Sequence, residues 1–473
     1  MEKNNRSTFS GNIGFILAAI GSAVGMGNLW GFPYKMGANG GFAFLIIYLA
    51  FVIFCGVIVM SVEMAIGRKT GKSPILAMAE LGKQFKFIGW FGVLSATIIM
   101  GFYAMLVGYA VRYMLGFLIQ IVGMSGFGGM GGTDFFISYT CDPLSVLLYT
   151  LITFAVCYII VASGIEGGIE KFNKVGIPAL FGILIVIIIY NFTLPGASQG
   201  LTFMFTTKGM EMAGTQFDFF KAARIAAGQM LFSCSLGMGI MITYGSYLKK
   251  DSNISVNAWI IPAADTLAAL LAGLAIFPAV FAQGQTPNGG PGLLFMTMHD
   301  TFTSMGWIGN VIGFLFYLLV IFAGVSSCIS LMEVTSAHFI DSSAAKGKPV
   351  SRKKAVGIVT LIMVILSIPV CLDQLGMGTI IPGFYNSFMA EGSKDLLDVY
   401  DLLSEGIMMP LAAMLTCIVI GWKVGMPWVA DEIEQAGNKF HLKNFVTFCV
   451  KYITPLMMAF VFVALVMSYV SFG

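Results

Sequence analysis

Eleven apolar stretches, each long enough to cross a lipid bilayer, recur along this chain and leave little of it outside them. They fall at residues 12–37, 41–67, 87–122, 144–162, 172–194, 219–247, 256–283, 307–341, 355–372, 397–422 and 444–471. A helix crosses the hydrocarbon core with roughly 20 apolar residues, so the pattern predicts an all-α polytopic membrane protein of eleven transmembrane helices. Composition agrees. The 473 residues are 58% hydrophobic and 10% charged, with a mean hydropathy of +0.88, whereas a soluble chain is about a quarter charged. Shorter mixed runs at 291–305 and 427–438 read as a re-entrant or surface loop and an amphipathic cytoplasmic segment. The apolar run from Gly11 is too long and too Gly- and Asn-rich for a signal peptide and reads as a retained helix.

Lysine and arginine near span ends stay on the cytoplasmic side. With the N-terminus inside, twenty of the 26 basic residues fall in inner segments, so eleven spans place the C-terminus outside, in a cell (inner) membrane. A net charge of +3 gives no reason to expect nucleic acid as a partner. The eight cysteines show no C-x-x-C spacing and sit mostly in apolar runs, which suits small hydrophobes rather than disulfides or a metal site. His299, His338 and His441 lie in different segments, and neither G-x-S-x-G nor H-E-x-x-H occurs, so the chain does not read as an enzyme.

Two spans carry clustered small residues at corresponding places: Gly21-Ser22-Ala23-Val24-Gly25-Met26-Gly27-Asn28 in the first and Ser233-Cys234-Ser235-Leu236-Gly237-Met238-Gly239 in the sixth. Backbone inside lipid unwinds only where it lines a cavity enclosed by protein. For either segment alone, a small-residue packing face is an equally good reading. The pair at positions one and six instead suggests a five-plus-five repeat, inverted because five is odd, with repeats at about 12–194 and 219–422 and an extra helix at 444–471. The whole chain, 1–473, then forms one transporter domain. Unwound segments expose carbonyls that suit Na⁺ and helix N-termini that suit a carboxylate, which implies joint capture of a zwitterion and a cation.

Ala23 through Trp30, followed by Phe32-Pro33-Tyr34 and Asn39-Gly40-Gly41, closely resembles the first-span signature of the neurotransmitter:sodium symporter family. Glu63 through Arg68, Gln229 through Gly239 and Ala323 through Ser327 match its second, sixth and eighth spans. The resemblance covers essentially the whole chain and implies a bacterial symporter with a leucine-transporter-like fold. It implies two sodium sites, with Na⁺ as co-substrate. The first would use Ala23, Asn28, Ser233, Asp265 and a substrate carboxylate. The second would use Gly21, Val24, Ala323, Ser326 and Ser327. Isolated serines in a helix more often bond back to their own backbone; the family pattern favours the ion.

By the same resemblance, Met26, Gly27 and Tyr103 would hold a carboxylate, and carbonyls of Ala23, Phe232, Ser233 and Ser235 an ammonium. Ser22, Ile99, Phe232, Met238, Ser327, Cys328 and Leu331 would surround the side chain, an apolar lining that favours a neutral hydrophobic amino acid, aliphatic or aromatic. Amine-transporting relatives have an aspartate where this chain has Gly25, so the substrate is expected to bring its own carboxylate. Chloride-dependent relatives have a serine at the place of Ala269; Asp265 nearby points to chloride-independent transport. A cationic amino acid is the alternative substrate class, and a sensor that binds without transport the alternative function. A channel fits a central site between opposed gates less well.

The family pairs an N-terminal arginine with an aspartate at the cytoplasmic gate, assisted by a tyrosine; here these are Arg6, Asp341 and Tyr247. At the outer gate the family's arginine is replaced by Gly31, while its aspartate partner remains as Asp401. Lys35, one helical turn beyond Gly31, is expected to reach Asp401 as a looser substitute. Otherwise Lys35 extends to the headgroups, or Asp401 meets a cationic group on the substrate.

Overall fold

The computed structural model describes residues 8–212, 217–282, 284, 292, 294–378, 385, 388–389 and 395–470. The apolar runs fold as helices close to their expected limits. The first span is two pieces, α1 (Asn12–Ala23) and α2 (Gly27–Ala38), bent by 47°. Then come α3 (Phe42–Thr70), α4 (Lys83–Ile121), α5 (Pro143–Ala162) and α6 (Ile165–Asn191). The sixth span is also two pieces, α7 (Phe219–Ser233) and α8 (Ile240–Gly245). The series ends with α9 (Ile254–Ala282), α10 (Gly306–Ala345), α11 (Arg352–Asp373), α12 (Leu396–Val424) and α13 (Lys443–Tyr469). Among the described residues, nine helices are long and apolar enough to cross a membrane, or ten when the bent pair counts as one. The chain is an integral membrane protein.

Burial sorts these helices into an inner and an outer set. The apolar window of α4 is 83% buried, those of α5 and α13 only 33%. The poorly buried helices present leucine, isoleucine and phenylalanine outward, such as Leu148, Ile152, Leu456 and Phe460, and such a surface is stable only against lipid. At the centre α4 packs along α10, and α1 lies against α6, α9 and α10. The run at 291–305 contains the helix Thr297–Ser304, and 427–438 overlaps the helix Met426–Ile433. A further helix not expected from the sequence, Pro74–Leu81, packs against α4.

The two breaks differ in how the backbone makes them. In the first, Val24 turns extended at φ −75°, ψ 94° and the chain resumes in a π-wound turn at Gly27–Gly31. In the second, Ser235, Gly237 and Gly239 all take positive φ. Glycine is required at 237, because a Cβ there would stand 2.3 Å from the carbonyl oxygen of Met409.

Candidate functional site

The breaks face one another and are tied together by their own polar atoms. The Ser235 hydroxyl donates to the Ser22 carbonyl at 3.0 Å, and the Ser22 and Ser235 hydroxyls lie 3.1 Å apart. Ser327 of α10 donates to the same Ser22 carbonyl at 3.2 Å. Across the break Gln229 Nε2 donates to the Gly27 carbonyl at 2.7 Å. Backbone freed from helical hydrogen bonding is thus satisfied by side chains of the facing helices, the condition for unwound chain at membrane depth.

Between the breaks lies a small cavity of about 20 Å³. Every substrate-lining residue expected from the sequence borders it except Met26 and Cys328. Met26 instead faces the wider vestibule above, its N–H donating to the Tyr103 phenol oxygen at 2.8 Å. Cys328 is fully buried behind the cavity, against Cys157 of α5. A helical residue next to Ser327 is turned about 100° away from it, and this rotation carries the thiol off the wall. Gly25 and Ile240 border the cavity as well. A Cβ on Gly25 would stand 2.5 Å from Ser327 Oγ and 2.7 Å from the Tyr103 hydroxyl. An aspartate therefore has no room there, and the polar groups around Gly25 remain free for a ligand.

Asp265 of α9 anchors the first expected ion site. It is wholly buried and accepts hydrogen bonds from Asn28 Nδ2 at 2.7 Å, Ser233 Oγ at 2.9 Å and Tyr48 at 3.1 Å. Asn28 Oδ1 meanwhile accepts from the Gly25 N–H at 2.9 Å. A carboxylate at this depth with no basic partner among the described residues is costly unless a cation joins it. The oxygen set of Ala23, Asn28, Ser233 and Asp265 has the hard-donor chemistry for Na⁺. At the second expected site, Ser326 and Ser327 donate to the Ala323 carbonyl at 2.8 and 3.3 Å, the back-bonding of ordinary helical serines. Gly21 and Val24 lie across from them on the broken first span. There Asn173 of α6 holds a buried Oδ1 that has no hydrogen-bond partner among the described residues and stands 1.9 Å from where Gly21 would carry a Cβ.

On the far side of Phe232 and Tyr103 the structure opens into a vestibule of about 370 Å³. Lys35 and Asp401 both line it, but among the described residues no ion pair within 4.0 Å joins them. Asp401 instead accepts from the Tyr469 hydroxyl at 2.5 Å, and the Lys35 ammonium lies 6.0 Å from the Tyr34 ring centre. The expected Lys–Asp pair is not formed in this structure; the hydroxyl of Tyr469, from α13, meets the carboxylate instead.

At the opposite end Asp341 accepts from the Ser73 N–H at 2.7 Å, at the start of the helix Pro74–Leu81. Arg6 lies outside the described residues. Tyr247 was expected beside that pair; its hydroxyl donates to Glu333 at 2.6 Å. Glu333 also receives both Arg352 terminal nitrogens, at 2.5 and 3.1 Å, while Arg352 Nε donates to the Val161 carbonyl at 2.8 Å. Sequence reading passed over Glu333, Arg352, Tyr48, Gln229 and Glu405. An ionisable residue inside an apolar span was the available signal for Glu333 and Glu405.

The model of the sodium:neurotransmitter symporter family matches residues 6–122 and 142–473. The chain belongs to that family. This symporter is 31% identical to an uncharacterized sodium-dependent transporter of Methanocaldococcus jannaschii, over 93% of its own length and 85% of the relative's. It is also 31% identical to the uncharacterized sodium-dependent transporter YhdH of Bacillus subtilis, over 98% and 99% of the two chains. Among solved structures it is similar to MhsT in complex with L-phenylalanine, with a TM-score of 0.84 and 34% identity, covering 97% of this chain and 100% of that one. The protein is a sodium-dependent symporter and not an enzyme. Its substrate is a small molecule carried together with Na⁺.

Proposed function

We propose that the protein imports a neutral, hydrophobic L-amino acid together with Na⁺ bound at two sites, without chloride, by alternating access. The observation that carries this reading is the apolar cavity between the broken helices, walled by Ile99, Met238 and Leu331 and adjoining the buried Asp265. Gly25 supports a substrate that brings its own carboxylate, since no carboxylate of the chain fits in its place. The phenylalanine in MhsT, a relative at 34% identity, supports the same class.

In this reading the substrate carboxylate lies between the Met26 and Gly27 amides and Tyr103, and the ammonium faces the carbonyls of Ala23, Phe232, Ser233 and Ser235. The substrate carboxylate and Asp265 together neutralise the first sodium. A serine-and-chloride pair is then unnecessary, which is why Ala269 suffices. Gly21, Val24, Ala323, Ser326 and Ser327 hold the second. The chain forms one domain of eleven spans, two inverted repeats and a last helix, with its N-terminus cytoplasmic and its C-terminus outside. The Lys35–Asp401 end is then extracellular, the Tyr247–Asp341 end cytoplasmic.

Uptake of radiolabelled amino acids into proteoliposomes tests this. Accumulation of phenylalanine or leucine under an inward Na⁺ gradient, undiminished when gluconate replaces chloride, is expected. Asp265→Asn is expected to reduce uptake by about tenfold or more, or to make it depend on chloride. Binding without accumulation would identify a sensor; loss of uptake in gluconate would refute chloride independence.

A further inference from the structure

Two π-wound turns meet at the Tyr247 end of the molecule. One is Val419–Val424 at the close of α12, the other Cys449–Ile453 in the first half of α13, and they pack against each other. Such turns interrupt a regular helix and are frequent at functional sites. Gly421 permits the approach, since a Cβ there would stand 3.2 Å from Lys451 Cγ. The end is fixed by Lys250, close after Tyr247 in sequence, which pairs at 2.9 Å with Glu432 of the helix that follows α12. A span needs about 20 residues, and counting them back from Tyr469 at the end of α13 reaches Cys449–Ile453, the level of lipid headgroups.

The turns project an aromatic shelf carrying two lysines. Trp422 is 60% exposed, yet its Nε1 donates to the Lys451 carbonyl at 3.0 Å, a bond that holds the indole across both turns. The Tyr452 ring meets it at 5.3 Å and 90°, and Phe448 lies 5.5 Å from Tyr452. The Lys451 ammonium stands 5.8 Å from the indole ring centre, and Lys423, beside Trp422, is exposed. Neither lysine has an ion pair among the described residues, whereas Lys443 at the start of α13 is paired with Glu434 at 3.0 Å. Tyr452, Leu456 and Phe460 are all exposed and follow one another at helical spacing, so one open apolar face runs from the shelf along α13.

The charge selects what covers this face. A second copy docking by two-fold symmetry would set the patch against itself. Lysines would then meet lysines, and the patch holds no carboxylate to separate them. A zwitterionic headgroup would bring its own cation to an indole that Lys451 already approaches. An anionic headgroup meets both ammonium groups, the half-exposed Tyr452 phenol can donate to a phosphate oxygen, and an acyl chain can lie along Leu456 and Phe460.

We propose that Trp422, Lys423, Lys451 and Tyr452 form a binding site for an anionic phospholipid, which joins α12 to α13 at this end of the protein. The phosphate is held by the two lysines and the phenol, and an acyl chain follows α13. The site is separate from the substrate cavity and the sodium sites, and it stands whatever the symporter carries.

Thermal-shift titration and native mass spectrometry of the purified full-length protein in neutral detergent test it. The probes are dioleoyl-phosphatidylglycerol, dioleoyl-phosphatidylcholine with the same chains, and glycerol 3-phosphate, a phosphate without chains. Phosphatidylglycerol is expected to stabilise the protein with an affinity at least about tenfold above that of phosphatidylcholine, and glycerol 3-phosphate to have no effect. Lys423→Gln together with Lys451→Gln is expected to weaken phosphatidylglycerol by about tenfold or more and to leave phosphatidylcholine unchanged. Lys353→Gln with Lys354→Gln, exposed lysines at the start of α11, is expected to change neither. Equal affinities for the two lipids would overturn the proposal. So would an equal loss in both double variants, which would mean general charge attraction, or stabilisation by glycerol 3-phosphate alone, which would mean a free-anion site. Disulfide-linked dimers of a Tyr452→Cys variant would assign the face to a second copy instead. Should the Lys423 and Lys451 changes prevent folding, the lipid comparison on the unaltered protein decides.

Discussion

The two ends of the symporter treat charge in opposite ways. At the Tyr247 end, Glu333 is fully buried and its carboxylate is matched by Arg352 and capped by a tyrosine hydroxyl, in a setting that links α10 to α11, to the turn just after α8 and to α5. At the Asp401 end, four carboxylates share a vestibule with one lysine among its described lining, and Asp401 is held by the Tyr469 hydroxyl of α13 and by Glu405. At the closed end Glu333 is wholly buried and needs its charge paired, because an unpaired ion in low dielectric is costly. The open end can leave carboxylates in contact with water. Closing it brings that cost back, and Lys35 is the basic residue of the described lining placed to answer it.

The largest expected effect lies at the closed end. Glu333→Ala leaves the mostly buried Arg352 without its carboxylate and is expected to cost about 3 kcal/mol, read as a lowered melting temperature in detergent. Replacing both partners by Leu and Met is expected to cost clearly less than either single change. Additive losses would show that the pair is not coupled and would remove the contrast between the ends.

A smaller effect is expected from Asp341→Ala, which removes the acceptor of the Ser73 N–H ahead of the helix Pro74–Leu81. Loss of such a contact costs about 1 kcal/mol, enough to shift a two-state population several-fold. Labelling of a cysteine introduced at Thr335 is expected to rise accordingly, and an unchanged rate would mean that Asp341 does not hold this end shut.

The smallest effect belongs to the vestibule. A double-mutant cycle of Lys35→Ala and Asp401→Ala on amino-acid affinity is expected to give a coupling below about 0.5 kcal/mol, since the two charges form no ion pair in this structure. A coupling above about 1 kcal/mol would show that the pair forms once substrate binds, and would make the two ends alike.

Most of the scaffold was legible in the sequence because lipid imposes a simple rule: long apolar runs must be helices, and clustered glycine within them marks the breaks. Residues 12–37 and 219–247 were expected to be interrupted, and the backbone turns out of the helix at Val24 in one and at Ser235, Gly237 and Gly239 in the other. The grouping of Asn28, Ser233 and Asp265 was anticipated by resemblance, and the three are in direct hydrogen-bond contact. What the sequence could not supply was which polar side chain meets which across helices far apart in the chain. Tyr48 donates to Asp265 over 217 positions, Tyr469 reaches Asp401 from α13, and Tyr247 turns to Glu333. Spacing along one helix places residues on a face, and so Lys35 was aligned with Asp401. Whether two such faces actually touch depends on the tilt, separation and π-wound turns of the helices that carry them, and packing of the whole bundle decides those.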